Sequence, residues 1–404
     1  MQIQGEVAPG FEPVLQMFQA NFDLRGEIGA SLCVYQHGRR VVDLWAGLAD
    51  RGTERAWEAD TLVNVFSATK GMVAACFLVL EDRDEIELDA PVCTVWPEFG
   101  EHGKDRITVR HVLNHRSGVV ALPHDLSFDD LEDHDTVDRA LERAEILWEP
   151  GEEQGYHAVT YGVLCQAVFR RVTGQSLGTF LANEIAGPLA ADVFLGLDPQ
   201  LDDRVATLYP AVGLNRVKGL VGPLLTGGTP ESRLIRNVIL RPRSPGSKAV
   251  RYPRALGGME LWNYNLPRVR RMELPWSNGH ASARGLARMY APLSIDGAHE
   301  GVRLVSAIAA ARPIEAQSWS ELDLTMRKPM GWSQGFLKEQ SSLFSPNPSW
   351  FGHPGIGGSM GYADPAEGIS LGYVVNRMRP KVRSPTALAI SRSLYESLGT
   401  PVPT

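Results

Sequence analysis

The sequence predicts an α/β fold: an antiparallel sheet flanked by helices and built from both ends of the chain, with a mainly helical domain inserted between. Two observations predict it. Apolar runs broken by tight turn signals, the mark of strands joined as hairpins, lie near both termini, while helical periodicity dominates the middle. At 404 residues, 44% hydrophobic and 22% charged, the chain has the composition of a globular protein, and its length allows roughly two to three domains.

Taken in order, residues 11–25 form a helix, with Phe11, Val14, Leu15, Phe18 and Phe22 at helical spacing. "GASLCVYQHGRRVVDLWAGLAD" follows as two strands about a turn at His37-Gly38. A helix beginning at Ser67 carries Met72, Val73, Cys76, Phe77, Val79 and Leu80 and is well buried. From 105 to 190 the periodicity is helical, as in "TVRHVLNHRSG", "TVDRALERAEIL" and "TYGVLCQAVFRRVTG". Residues 212–275 are irregular and rich in Pro and Gly, and between 233 and 271 nine Arg and one Lys face a single acid, Glu260. This stretch reads as a flap, either a solvated basic surface or a lid over a substrate pocket. Near the C-terminus, "SWFGHPGIGGSMGYADPAEGISLGYVVNRM" supplies further strands with "DPAEG" as a turn, and "PTALAISRSLYESLG" is a helix ending at Gly399. The expected division is therefore a discontinuous α/β domain, 1–104 with 276–404, and a helical domain, 105–275. A crevice between two such units is a common place for an active site.

The bulk properties exclude several classes. A net charge of −7 and a pI near 5.9 argue against a nucleic-acid partner, which needs a basic face, and against an anionic membrane surface. No uninterrupted run reaches the roughly 18 apolar residues of a membrane span. The first residues lack the basic and apolar regions of a secretory leader, so a cytoplasmic location is expected. Cys33, Cys76, Cys93 and Cys165 are scattered without metal-ligand spacing and read as free thiols in a reducing compartment. Neither a metal nor a cofactor is expected, and the oligomeric state is not legible.

The chemistry centres on "FSATK". Ser67 and Lys70 stand three apart, so on a helix's first turn they share a face. The free N–H groups and dipole of that turn favour developing negative charge. Taken alone, Ser67 is equally an N-cap. A rival nucleophile, Ser359 of "GGSMG", matches the nucleophile-elbow pattern. That elbow requires a helix after it and a histidine downstream, whereas Pro365 follows and no His lies beyond His353. Ser359 is therefore a turn residue. In "LWEPGEEQGYHAVTYG", Tyr156 stands after a Pro-Gly turn and before a helix, where it could take the serine's proton or simply be a core tyrosine. "GHPGIGG" presents His353, Gly355 and Ile356 on a strand whose backbone N–H could join that of Ser67 as an oxyanion hole.

In this order the pieces resemble the serine β-lactamase and penicillin-binding-protein superfamily, whose motifs are S-x-x-K, a tyrosine triplet and a K/H/W-x-G strand. "DTLVNVFSATKGMVAA", "ITVRHVLNHRSGV", "WEPGEEQGYHAVTYGVLCQAVFRRVTGQSLGTFLANEIAGPL" and "GHPGIGGSMGYADPAEGISLGYVVN" look most like its class C-like branch, and closest to the family VIII carboxylesterases. The resemblance covers about residues 10–400 and is weakest over 200–275. It implies that Ser67 is acylated, that Lys70 handles its proton and that Tyr156 is the general base, with Lys70 as a cation lowering the tyrosine's pKa. It makes the Ser67 and Ile356 N–H groups the oxyanion hole and puts His353 in the place of the third motif's lysine. His353, Gly355 and Trp332 would border the substrate. Two departures bear on substrate. Tyr156-His157-Ala158 lacks the amide of Y-x-N, and His353-Pro354-Gly355 lacks the permanent cation of K-T-G. Both weaken recognition of a penicillin and cost nothing for a simple ester. The expected function is hydrolysis of small carboxylic esters, with short acids preferred. The alternatives are an acyltransferase or amidase on the same scaffold, a β-lactamase or DD-peptidase, and a non-catalytic assembly protein.

Overall fold

The computed structural model of the chain describes residues 2–210, 261–338, 344–379 and 384–400, with short stretches between 233 and 257. Among these residues the frame is one antiparallel sheet. Its strands in chain order are β1 (Gln4–Val7), β2 (Gly29–Gln36), β3 (Arg39–Asp50), β4 (Ser318–Ser320), β5 (Met330–Ser333), β6 (Phe336–Lys338), β7 (Phe351–Pro354), β8 (Met360–Asp364) and β9 (Ile369–Val375). Across the sheet they lie in the order β1-β3-β2-β9-β8-β7-β6-β5-β4, and a short strand, Arg55–Ala56, pairs with the far end of β3. The N- and C-terminal portions join where β9 pairs with β2, Leu371 opposite Val34. The expected hairpin turn is present, with His37 and Gly38 both at positive φ, the backbone that a two-residue turn needs to match strand twist.

Alternation along the strands sends side chains to two cores. Ala30, Leu32, Val34, Leu371 and Tyr373 meet Val14 and Phe18 of α1 (Glu12–Asp23) and residues 390 and 394 of the C-terminal helix, which runs Pro385–Ser397. Cys33 and Tyr35 face the opposite cluster, which continues into the helical segment. There α2 (Thr69–Asp82) is the central element, buried on all sides from Thr69 to Leu80, as its all-round apolar sequence requires. Behind it lies α3 (Thr160–Thr173), closed by Gly174 at positive φ. A further helix, α4 (Ala283–Tyr290), rests on the sheet so closely that a Cβ on Gly372 would stand 2.2 Å from the Ala283 carbonyl oxygen.

About half of the flap expected over 212–275, including 212–232, lies outside the described residues. Of its arginines, Arg268 pairs with Asp129 and Glu132, Arg270 and Arg271 with Asp202, and Arg254 with Asp125. These cations are matched by acids of the preceding segment.

Candidate active site

Ser67 does not begin the helix. It sits in a 3-10 turn, Phe66–Ala68, and α2 starts at Thr69 with Ala68 at its cap and no capping side chain. The expectation of a helix from Ser67 is corrected by two residues, and the N-cap alternative is removed, since the hydroxyl points elsewhere. The turn is shaped by its flanks. Phe66 has φ of +47°, a left-handed backbone that is costly for a bulky residue. Its N–H donates to Asn64 Oδ1 at 3.0 Å, its carbonyl accepts from Thr69 Oγ1 at 2.5 Å, and its ring lies 5.0 Å from that of Tyr264. Thr69 Oγ1 in turn accepts the Gly279 N–H at 2.8 Å. The nucleophile candidate thus stands on a tightly held turn.

From the helical segment, the loop before α3 brings Tyr156 over this turn, its hydroxyl 3.0 Å from Ser67 Oγ. Lys70, fully buried, donates from Nζ to the carbonyls of Ala158 at 3.0 Å and Trp276 at 2.9 Å, and lies 5.0 Å from the Tyr156 ring centre. Because burial penalises its charge and carbonyls rather than a carboxylate receive its hydrogen bonds, its pKa falls from the usual lysine value to about 7. Lys70, expected as a cation, therefore gives up its proton far more readily than an ordinary lysine. A neutral amine that has given two N–H bonds to carbonyls keeps its lone pair free for a third direction.

The third motif arrives on β7. The backbone at Gly355 abuts the turn, where a Cβ would lie 2.1 Å from the Val65 carbonyl oxygen. Only glycine permits that approach, and it sets the backbone of Gly355 against Val65, two residues before Ser67, with Ile356 exposed. His353 is buried, its ring 6.1 Å from that of Tyr156 and 5.9 Å from that of Trp332. Trp332 is wholly buried and stacks behind Tyr156 at 5.8 Å with the planes 10° apart, so it backs the tyrosine and presents no open face. Ser359 is buried in the link between β7 and β8 and accepts the Val375 N–H at 3.3 Å. It is the structural residue expected.

Sequence reasoning missed the residues that hold Tyr156. Asp323 Oδ1 accepts the Tyr156 N–H at 3.1 Å, and His115 Nδ1 accepts the His157 N–H at 2.9 Å. The His157 ring donates from Nδ1 to the Gly155 carbonyl at 2.6 Å and accepts from the Ser117 hydroxyl at 2.8 Å. Burial keeps both rings neutral, moving His157 down to about 3 and His115 well below the ordinary histidine value. The signal for His115 and Ser117 was "NHRSG", a polar cluster between apolar helices. Nothing local marks Asp323.

Comparison with known proteins shows the family of the chain. The family described as Beta-lactamase matches residues 16–394. The chain is 32% identical over 381 residues to Esterase/beta-lactamase LipL of Mycobacterium tuberculosis (strain ATCC 25618 / H37Rv), covering 93% of this chain and 83% of the relative. Its structure is similar to that of a family VIII carboxylesterase, with a TM-score of 0.85 and 34% identity over 98% of this chain and 100% of the other. A penicillin-binding protein homologue from Caulobacter crescentus is similar at a TM-score of 0.83 and 31% identity, over 98% of this chain and 100% of the other.

Proposed function

The chain belongs to the β-lactamase family, and from that premise we propose that it is a carboxylesterase acting through an acyl-enzyme on Ser67. The observation that carries the proposal is the 3.0 Å approach of the Tyr156 hydroxyl to Ser67 Oγ beside a buried Lys70. In the proposed reaction, Tyr156 with Lys70 takes the serine proton as Oγ attacks the ester carbonyl. The oxyanion is held by the N–H groups of Ser67 and Ile356. Collapse expels the alcohol, which leaves with the proton from Tyr156, and a water activated at the same tyrosine then frees the acid. The site would sit between the α/β portion, which brings Ser67, Lys70 and His353, and the helical portion, which brings Tyr156.

Esters are favoured over β-lactams because Ala158 offers no side-chain amide and its carbonyl is engaged by Lys70. Tyr156, 3.0 Å from the nucleophile, and the His353 ring beside it favour short acyl groups. A reducing compartment suits four free cysteines. The name of the mycobacterial relative joins esterase with β-lactamase, so a lactam belongs in the test. The deciding measurement is kcat/KM for p-nitrophenyl esters from acetate to decanoate, with nitrocefin on the same preparation. A maximum at short esters, far above nitrocefin, is expected. Equal or better turnover of nitrocefin would replace the esterase reading with a β-lactamase one.

A further inference from the structure

Three successive backbone N–H groups bracket the reactive tyrosine, and two residues receive all three. Gly155 N–H donates to the His115 carbonyl at 3.1 Å, Tyr156 N–H to Asp323 Oδ1 at 3.1 Å, and His157 N–H to His115 Nδ1 at 2.9 Å. These amides lie in a buried loop, where no strand or helix satisfies them and each needs a partner. His115 and Asp323 also shape what surrounds the phenol. The His115 ring lies 5.0 Å from that of Tyr156 and 4.0 Å from that of Trp332, its stacking partner. Asp323 Oδ1 also accepts from Thr325 N–H at 2.9 Å and Met326 N–H at 2.7 Å, and Leu324 N–H donates to the Gln154 carbonyl at 3.0 Å. His115 holds its place with a left-handed backbone, φ +58°, a conformation kept only where the surroundings demand it.

We propose that His115 and Asp323 are positioning residues for Tyr156, holding the 155–157 backbone so that the phenol stays within hydrogen-bond reach of Ser67. The proposal rests on the reading of Tyr156 as the proton acceptor. It concerns acceptor geometry and not charge: a neutral histidine offers Nδ1 as a lone pair, and a carboxamide in place of the carboxylate keeps the oxygen that receives Tyr156 N–H. Displacing the phenol by an ångström is enough to cost roughly 100-fold in rate.

The experiment compares variants that keep the acceptor, Asp323→Asn and His115→Asn, with variants that lose it, Asp323→Ala and His115→Phe. Asparagine also tolerates the left-handed backbone at 115. Values of kcat and KM for p-nitrophenyl butyrate and melting curves are read for each. Asp323→Asn and His115→Asn are expected to keep kcat within a few-fold. Asp323→Ala and His115→Phe should lose kcat roughly 10- to 100-fold at nearly constant KM. That loss should vanish when the same changes are made on Tyr156→Phe, because the residues act through the missing hydroxyl. Wild-type kcat in Asp323→Ala, a loss in Asp323→Asn as large as in Asp323→Ala, or losses that multiply with Tyr156→Phe would overturn the proposal. Should the truncations fail to fold, Asp323→Asn decides alone, by retained or lost kcat. Ser67→Ala on the same preparation separates the two levels. If it stays active, the reading of the site falls. If it is dead while Asp323→Ala is unaffected, only the positioning falls.

Discussion

The hydroxyl of Tyr156 lies 3.0 Å from Oγ of Ser67 across 89 residues of chain. One comes from a loop of the helical segment, the other from a 3-10 turn ahead of the central helix. Their meeting turns a serine and a lysine three apart into a candidate reactive centre, because it gives the serine's proton somewhere to go.

Ser67→Ala is expected to lower p-nitrophenyl butyrate hydrolysis by three orders of magnitude or more, on the order of losses seen when a nucleophile is removed. Ser359→Ala should retain most activity. Its hydroxyl accepts one backbone N–H, so its loss costs about 1–3 kcal/mol of stability. The reverse pattern, with Ser359→Ala dead and Ser67→Ala active, would reassign the nucleophile.

The pH dependence follows from Lys70. With its pKa brought down to about 7 by burial, the amine is protonated below that value and free to accept a proton above it. The rate should therefore rise through neutral pH and level off in the mildly alkaline range. Lys70→Arg, charged throughout, should be slow at every pH. A flat kcat/KM profile for the unaltered enzyme from about pH 6 to 9 would take Lys70 out of the proton path.

Gly71, next to Lys70, is required by space. A Cβ there would lie 2.0 Å from the hydroxyl oxygen of Tyr290, a fully buried side chain that cannot swing away. Gly71→Ala should destabilise the fold by roughly 1–3 kcal/mol, the cost of overpacking, and disturb Lys70. The colliding oxygen makes no hydrogen bond among the described residues, so Tyr290→Phe should be tolerated alone and should recover much of the loss in combination. Chemical denaturation of the single and double variants checks this. No recovery would place the strain elsewhere.

Acid should destabilise the protein from about pH 6.5 downward, where unfolded histidines begin to bind protons. His157 and His280 are fully buried and neutral, with pKa values lowered to about 3 by burial, and His115 is also well below its ordinary value. Between those folded values and 6.5 the unfolded chain binds more protons than the folded one, so stability rises with pH across the window and is lost as pH falls through it. His280→Gln should flatten the fall in melting temperature between about pH 6 and 4. An unchanged slope would exclude His280 as a contributor.

Much of the frame was legible from local pattern alone. The His37-Gly38 hairpin, the apolar helix after "SATK", the helix before Gly174 and the C-terminal helix depend on periodicity and turn residues a few positions apart, which short-range sterics and burial impose directly. The motifs marked Ser67, Lys70, Tyr156 and the strand from His353 for the same reason, each being a compact run. Other features were decided only by tertiary structure. The strained Phe66 that sets Ser67 ahead of its helix depends on Tyr264, Gly279 and Asn64 together. The near-neutral pKa of Lys70 arises because packing removes water and leaves it two carbonyls, one of them 206 residues away. Trp332 moved from an expected wall of the pocket to the back of Tyr156, and Asp323, 167 residues from the tyrosine it holds, carried no local mark at all. Periodicity records which face of an element is buried. It does not record which distant side chains meet there, and those meetings set both the pKa of a buried group and the aim of a reactive one.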